Sequence, residues 1–167
     1  VCGLVLHVLS LAGLTLVGLY CWCNLMTIPR AALYGMGENV HCAVWPGSDH
    51  NTKDITRFIA RESRSYVISV SSLMNKNDFP KDTPYIEELL AAAPEQLANG
   101  GSCVANPDGS WLIEPQVNTE GVFCAEIQLD RVYEERQNFD PVGHYSRPDV
   151  TQLHVNRERQ STIKIKD

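Results

Sequence analysis

The stretch Leu14-Thr15-Leu16-Val17-Gly18-Leu19-Tyr20-Cys21-Trp22-Cys23-Asn24 decides the fold and the candidate chemistry of this chain. Residues 14–20 form a mainly apolar run, which is typical of a buried strand, and a helical pattern follows at Ile28–Gly35. Cys21 therefore lies at a strand-to-helix turn, where the positive end of a helix favours the nucleophilic thiolate. A cysteine nucleophile is one interpretation of this position, and a buried apolar cysteine is the other.

The composition indicates a globular domain that does not bind nucleic acid. The 167 residues are 44% hydrophobic and 20% charged, and their formal charge is -6. This length is enough for one domain with a sizeable core. A nucleic-acid binder normally presents a basic face. The basic cluster at Arg157–Lys166 is mixed with acids, so we expect a solvated tail there.

The six cysteines lie mostly within apolar, strand-like runs rather than in loops. A domain of this size needs no disulfides for stability, so we expect reduced cysteines and a cytoplasmic protein. Cys21 and Cys23 with His41 and Cys42 form a combination with metal-ligand chemistry. However, a C-x-C sequence without a second matched pair is a weak signal for zinc. No metal site is therefore predicted.

The segment Val1–Pro29 carries no charged residue, and the first charge in the chain is Arg30. Taken alone, a segment of this length would span a bilayer as a helix. Glycines and polar residues interrupt it, and the basic flank of a signal peptide is missing. A strand buried between two layers explains the same composition. We predict no membrane partner, with a membrane anchor as the alternative.

Strand and helix patterns alternate along the rest of the chain. We predict further strands at 39–45, 66–71, 102–105, 111–113 and 122–129, and polar loops at 49–51 and 75–84. Helices are predicted at 52–64, at 130–136 and at 85–97, where Pro94 interrupts the pattern. The turn Asn106-Pro107-Asp108-Gly109 predicts a hairpin. This order of elements predicts a layered α/β domain with a mixed sheet.

Several of these segments together resemble the nitrilases of the carbon–nitrogen hydrolase superfamily. Cys21-Trp22-Cys23-Asn24 is similar to the family's nucleophile motif, cysteine-tryptophan-glutamate followed by asparagine or histidine. Val44-Trp45-Pro46-Gly47 is similar to a strand and loop of microbial nitrilases. The segment Asp54–Met74 and the tail Phe139–Asp149 match as well, and the tail is the most specific match.

The resemblance implies a four-layer α-β-β-α sandwich, of which this chain would be the C-terminal portion. It implies hydrolysis of a small-molecule nitrile to a carboxylic acid and ammonia, through a thioimidate and a thioester on Cys21. The backbone N–H of Trp22 would help to hold the developing negative charge. No cofactor is implied, and the subunits would form homo-oligomers. The expected domains are a divergent apolar start at 1–17, the hydrolase portion at 18–136 and a docking tail at 137–167.

Three features depart from the family pattern. The family's catalytic glutamate and lysine precede the cysteine, whereas the first Glu and Lys here are Glu38 and Lys53. Cys23 replaces the motif's glutamate, and the leucine-rich stretch 1–16 does not match. We therefore expect a chain that is inactive alone and aggregates through an uncovered sheet face. The alternative is a non-catalytic fragment or assembly subunit with the same fold.

Three other features have both a functional and a structural interpretation. Trp45 ends a strand shortly after the nucleophile and would either line the substrate pocket or belong to the core. His144 would either be catalytic, as histidine side chains often are, or have a structural place in the tail, which is the favoured interpretation. Glu62 with Arg64 would form either a buried ion pair near the site or an exposed pair that contributes little.

Overall fold

The computed structural model describes residues 8–156 and residue 163, in which a seven-stranded mixed sheet is flanked by helices. The strands are β1 (Val8–Leu11), β2 (Leu14–Tyr20), β3 (Val40–Trp45), β4 (Tyr66–Ser71), β5 (Leu73–Asn75), β6 (Gln96–Ala105) and β7 (Trp111–Val117). The helices are α1 (Thr27–Gly35), α2 (Asp49–Ser63), α3 (Ile86–Ala92) and α4 (Leu129–Asn138). Short 3₁₀ turns occupy Cys21–Leu25 and Lys76–Asp78. The predicted α/β class is confirmed.

The strand order β1-β2-β3-β4-β6-β5, with β7 paired to β6, sets the position of the candidate site. Strands β2, β3 and β4 are parallel, and Val17 on β2 pairs with His41 on β3, which pairs with Val67 on β4. The carboxyl ends of parallel strands lie at the same edge of a sheet, which is where ligands bind in open α/β folds. The turn that contains Cys21 leaves β2 at this edge.

Helices α1 and α2 cover one face of the sheet. Leu33 of α1 packs on Val17 and Leu19 of β2, and Ile59 and Ala60 of α2 pack on the neighbouring strands. Burial of each large aliphatic side chain contributes about 1.5–3 kcal/mol relative to exposure. This packing holds the turn after β2 between the sheet and α1.

The opposite face is covered at one end and open at the other. Val132 of α4 packs on Val40 and Tyr66 at the covered end. At the open end, Tyr20, Val44 and Val70 lie in one row of paired residues and are 64%, 44% and 50% exposed. The chain therefore presents the uncovered apolar face that the sequence predicts.

Most of the predicted elements are present. Strands β2 and β4 have the predicted bounds, and α1 begins one residue early. Helix α2 begins three residues early and ends one residue early, and α4 is one residue longer at its start and two longer at its end. The predicted loop at 49–51 is the first turn of α2. The short strands β1 and β5 were not predicted.

Two predicted elements differ from the structure. Of the interrupted helix predicted at 85–97, only residues 86–92 are helical, because α3 ends at Ala92 and β6 begins at Gln96. Pro94 lies between them, and proline cannot continue a helix. The predicted strand at 122–129 has apolar residues but no pairing partner among the described residues, and its backbone is irregular until α4 begins.

No helix in the described range is long and apolar enough to cross a bilayer. The described part of the uncharged segment contains the antiparallel pair of β1 and β2, followed by the start of α1. Residues 1–7 of that segment lie outside the described residues.

Candidate active site

Cys21 occupies a strained turn between β2 and α1. Its backbone φ is +48°, in the left-handed region, which is uncommon for a residue other than glycine. Such a conformation costs about 1–3 kcal/mol and persists where the surrounding structure enforces it. The thiol is half-buried, and its neighbours Tyr20 and Trp22 are exposed. A sharp strand-to-helix turn of this kind projects a nucleophile from the edge of a sheet.

Asn24 closes the turn from inside the protein. Its side chain is completely buried, and its Nδ2 donates to the carbonyl of Leu19 at 3.1 Å and to the carbonyl of Cys21 at 3.0 Å. These two carbonyls belong to residues on either side of Tyr20. One amide therefore satisfies both buried acceptors and holds the backbone of Cys21 in place.

His41 and Glu38 support Asn24 from β3 and the loop before it. His41 Nε2 lies 2.9 Å from Asn24 Oδ1, and His41 Nδ1 lies 3.1 Å from Glu38 Oε2. The side chains of both His41 and Glu38 are completely buried. Glu38 Oε1 has no hydrogen-bond partner among the described residues. Three polar side chains thus form a continuous chain from the sheet interior to the Cys21 turn.

A second buried network holds the main chain of Asn24. Arg30 of α1 donates to the Asn24 carbonyl at 2.8 Å, and its guanidinium bonds Glu62 of α2 at 2.9 and 3.1 Å. Tyr34 donates to the same Glu62 oxygen at 2.6 Å. Burial, together with Glu62, raises the pKa of the Tyr34 phenol. The network joins the turn after β2 to both helices on that face.

The predicted pairing of Glu62 with Arg64 is wrong. Glu62 pairs with Arg30, whereas Arg64 bonds Glu135 of α4 at 2.8 Å. Arg64 has a φ of +54° at the end of α2, so its side chain leaves the helix in another direction. The ion pair of Glu62 with Arg30 is largely buried, because the two side chains are 25% and 3% exposed.

The two candidate tryptophans occupy different environments. Trp22 follows Cys21 directly in the 3₁₀ turn and is 60% exposed. Trp45 is 5% exposed, packs in the cluster of Ala43 and Ile59, and donates from Nε1 to Ser69 Oγ at 2.7 Å. The structure therefore favours the core interpretation of Trp45 over a place in the substrate pocket.

The other cysteines and His144 occupy different environments. Among the described cysteines, Cys21, Cys42, Cys103 and Cys124 are free thiols, and Cys2 lies outside the described residues. Burial raises the pKa of Cys103 to about 11, and burial with the nearby Glu38 raises that of Cys42. Within the described range, no three His, Cys, Asp or Glu residues are grouped to hold a metal. His144 stacks edge-on against its neighbour Tyr145 in the tail, and its structural interpretation stays a prediction.

Sequence reasoning missed the role of Glu38 and His41 in this network. Both are polar residues beside an apolar strand, and in the sequence they are separated from Cys21 by a helix. The signal that identifies them is the parallel register, which sets His41 beside Val17 and thus beneath the turn that follows β2.

The chain belongs to the carbon–nitrogen hydrolase family. The family model described as carbon-nitrogen hydrolase matches residues 4–137, which is most of the chain and includes much of the apolar start at 1–17.

The named relatives are nitrilases. The chain is 31% identical over 144 residues to an aliphatic nitrilase of Sinorhizobium fredii, covering 86% of this chain and 46% of the relative. It is 36% identical over 137 residues to a nitrilase of Bradyrhizobium diazoefficiens, covering 81% and 42%. The carbon–nitrogen hydrolase from Helicobacter pylori has a similar fold, with a TM-score of 0.65 at 16% identity over 86% of this chain and 50% of that one. The chain spans less than half the length of these two curated relatives.

Proposed function

We propose that this chain provides the nucleophile of a nitrilase, which hydrolyses a small-molecule nitrile to a carboxylic acid and ammonia. The observation that carries the proposal is the Cys21 turn, with its positive φ and the buried Asn24 amide beneath it. The nitrilase names of the relatives support a nitrile as substrate.

In the proposed mechanism, the Cys21 thiolate adds to the nitrile carbon and a proton reaches the nitrogen, which gives a thioimidate. Water then adds, ammonia leaves, and a thioester remains on Cys21. A second water hydrolyses the thioester and releases the acid, so that one difficult hydrolysis is divided into easier steps. The backbone N–H of Trp22, which follows Cys21 in the turn, would donate to the negative charge of the tetrahedral intermediates.

The chain by itself is proposed to be inactive. No Glu or Lys precedes Cys21 in this sequence, so the general acid/base and the charge-stabilising lysine of the family pattern have no counterpart there. Two later residues do not replace them. Glu62 is bonded to Arg30 and Tyr34, and Lys53 is exposed on α2. The second candidate function, an assembly subunit of the same fold, rests on this observation.

Several further properties are part of the proposal. The hydrolase portion would span 18–136 within a four-layer sandwich, and the tail at 137–167 would dock on another subunit of a homo-oligomer. The open row of Tyr20, Val44 and Val70 supports a second layer on that face. We propose a cytoplasmic enzyme that requires no cofactor.

The test is ammonia release from a panel of aliphatic and aromatic nitriles. The protein is expressed from its own gene, with Cys21→Ser as the matched variant. We expect ammonia and the corresponding acid from the unmodified protein and none from the variant. Equal ammonia release by both proteins would refute Cys21 as the nucleophile. Ammonia release by the 167-residue chain alone would refute its inactivity.

A further inference from the structure

The hydrogen bonds of Asn24 fix the proton positions in the buried network. Asn24 faces two carbonyl oxygens, those of Leu19 and Cys21, and carbonyls accept but never donate. The Nδ2 of Asn24 must therefore face them, which leaves Oδ1 facing His41 Nε2 at 2.9 Å. Because Oδ1 also only accepts, His41 must carry a proton on Nε2.

The contact between His41 and Glu38 then requires exactly one more proton. His41 Nδ1 and Glu38 Oε2 lie 3.1 Å apart, and this distance is a hydrogen bond when either atom bears a hydrogen. The proton sits on His41, giving an imidazolium beside a carboxylate, or on Glu38, giving two neutral groups. Either arrangement has no net charge, which suits a pair whose side chains are completely buried.

We propose that Glu38 and His41 are positioning residues for Cys21. The proton that they share keeps the other ring proton of His41 on Nε2. This N–H holds the Asn24 amide in the orientation in which Nδ2 donates to the carbonyls of Leu19 and Cys21. Without the shared proton, two lone pairs would face each other, and His41 would have to move its Nε2 proton to Nδ1. Asn24 Oδ1 would then have no hydrogen-bond donor opposite it. If the amide turned over instead, this oxygen would face the carbonyls of Leu19 and Cys21. In either case Cys21 would be free to leave its positive φ.

The inference rests on the proposed function, since positioning matters because Cys21 is the nucleophile. A stabilising role alone is a poor explanation of Glu38. Its Oε1 is buried without a partner among the described residues, and a leucine of similar size would avoid the cost of burying this oxygen.

The first experiment measures the protons on His41 directly. In the ¹⁵N-labelled protein, long-range ¹H–¹⁵N correlation spectra distinguish a protonated Nε2 from a protonated Nδ1. We expect a proton on Nε2 that exchanges slowly with solvent, because the site is buried. A bare Nε2 would overturn the inference. This outcome does not depend on nitrile chemistry, so it is separable from failure of the proposed function.

The second experiment compares alkylation of Cys21 with that of the exposed Cys124 in the same sample. Iodoacetamide is the probe, and peptide mass mapping gives the ratio of the two rates. His41→Gln keeps an N–H that can reach Asn24, whereas His41→Leu does not. We expect the Cys21 rate to fall about tenfold in His41→Leu and to stay within about threefold of the original in His41→Gln. Equal rates in the two variants, or a faster rate in His41→Leu, would overturn the inference.

A second pair of variants covers the case in which His41→Leu does not fold, which thermal unfolding would reveal. Glu38→Gln can donate its own N–H to His41 Nδ1 and so preserve the Nε2 proton, and we expect the original Cys21 rate. Glu38→Leu removes the hydrogen bond that fixes the His41 ring, so the ring is free to turn away from Asn24, and we expect slower alkylation in a protein that still folds. A Cys21 rate that is the same in both Glu38 variants would overturn the inference.

Discussion

Asn24 and His41, 17 residues apart in the sequence, meet through a 2.9 Å hydrogen bond in the protein interior. The bond joins the turn after β2 to the neighbouring parallel strand β3. The Nδ2 of the same Asn24 amide donates to the carbonyls of Leu19 and Cys21, so this bond helps to hold the Cys21 turn. The conformation of the candidate nucleophile is therefore set by buried side chains beneath the turn.

Replacing Asn24 tests how strongly this turn depends on its amide. Asn24→Leu removes three hydrogen bonds and leaves two backbone carbonyls and His41 Nε2 without the partner that Asn24 provides. We expect a loss of about 3 kcal/mol in the free energy of unfolding. Urea unfolding followed by circular dichroism gives the value. The exposed Asn77 provides the control, since Asn77→Leu should change stability by less than about 0.5 kcal/mol. Equal losses in both variants would contradict this account.

Glu62 is expected to be essential for stability because its partner is buried. Glu62→Ala leaves the Arg30 guanidinium, whose side chain is 3% exposed, without its carboxylate, and we expect a loss of about 3–5 kcal/mol. Glu95, whose side chain is 70% exposed beside Lys76, is the matched control. Glu95→Ala should cost less than about 1 kcal/mol. A loss below 1 kcal/mol for Glu62→Ala, measured by the same unfolding experiment, would argue against the buried network.

The start of α2 should show an acid-dependent stability. Asp49 accepts from Asn99 Nδ2 at 2.8 Å, and this hydrogen bond lowers the pKa of Asp49 from its ordinary value of 3.8. A lowered pKa means that the stabilisation is complete above the unfolded pKa and is lost as pH falls through the folded pKa. Asn99→Ala should therefore lower the melting temperature at pH 7 by more than it does at pH 2. An equal difference at both pH values would show that the carboxylate is not involved.

Cys103 should resist alkylation over a wide pH range. Burial raises its pKa to about 11, so the thiol stays protonated at pH 8, whereas Cys124 is exposed to the reagent. Peptide mapping after iodoacetamide treatment of the folded protein should find Cys124 modified and Cys103 intact. Equal modification of both at pH 8 would contradict the buried placement of Cys103. In 6 M guanidinium, a condition of the order that unfolds even hyperstable proteins, both should react.

The parts of the fold that follow from local patterns could be predicted from the sequence. The apolar run at 14–20 and the alternating residues at 66–71 became β2 and β4 with the same bounds. The Asn106–Gly109 turn joins β6 and β7 as expected. Cys21 could be placed between a strand and a helix from the same patterns, and its role as nucleophile stays a prediction.

The remaining parts depend on contacts between distant segments. Strand β6 begins at Gln96, six residues before the predicted start, because its first half pairs with the short β5 and with β7. The apolar run at 122–129 resembles a strand locally but has no strand beside it in the described sheet. Likewise, no local pattern joins Glu38 and His41 to Asn24, because the register of β2 with β3 brings them together. The register of two distant strands cannot be predicted from any short segment of a single sequence.

The most direct test of the central claim is to trap the acyl intermediate on Cys21. The protein expressed from its own gene is mixed with a nitrile, quenched in acid during turnover and digested for peptide mass mapping. We predict that the peptide containing Cys21 carries the added mass of the acyl group as a thioester, and that Cys21→Ser abolishes both adduct and turnover. Continued turnover in Cys21→Ser, or an adduct found on another cysteine, would contradict the account.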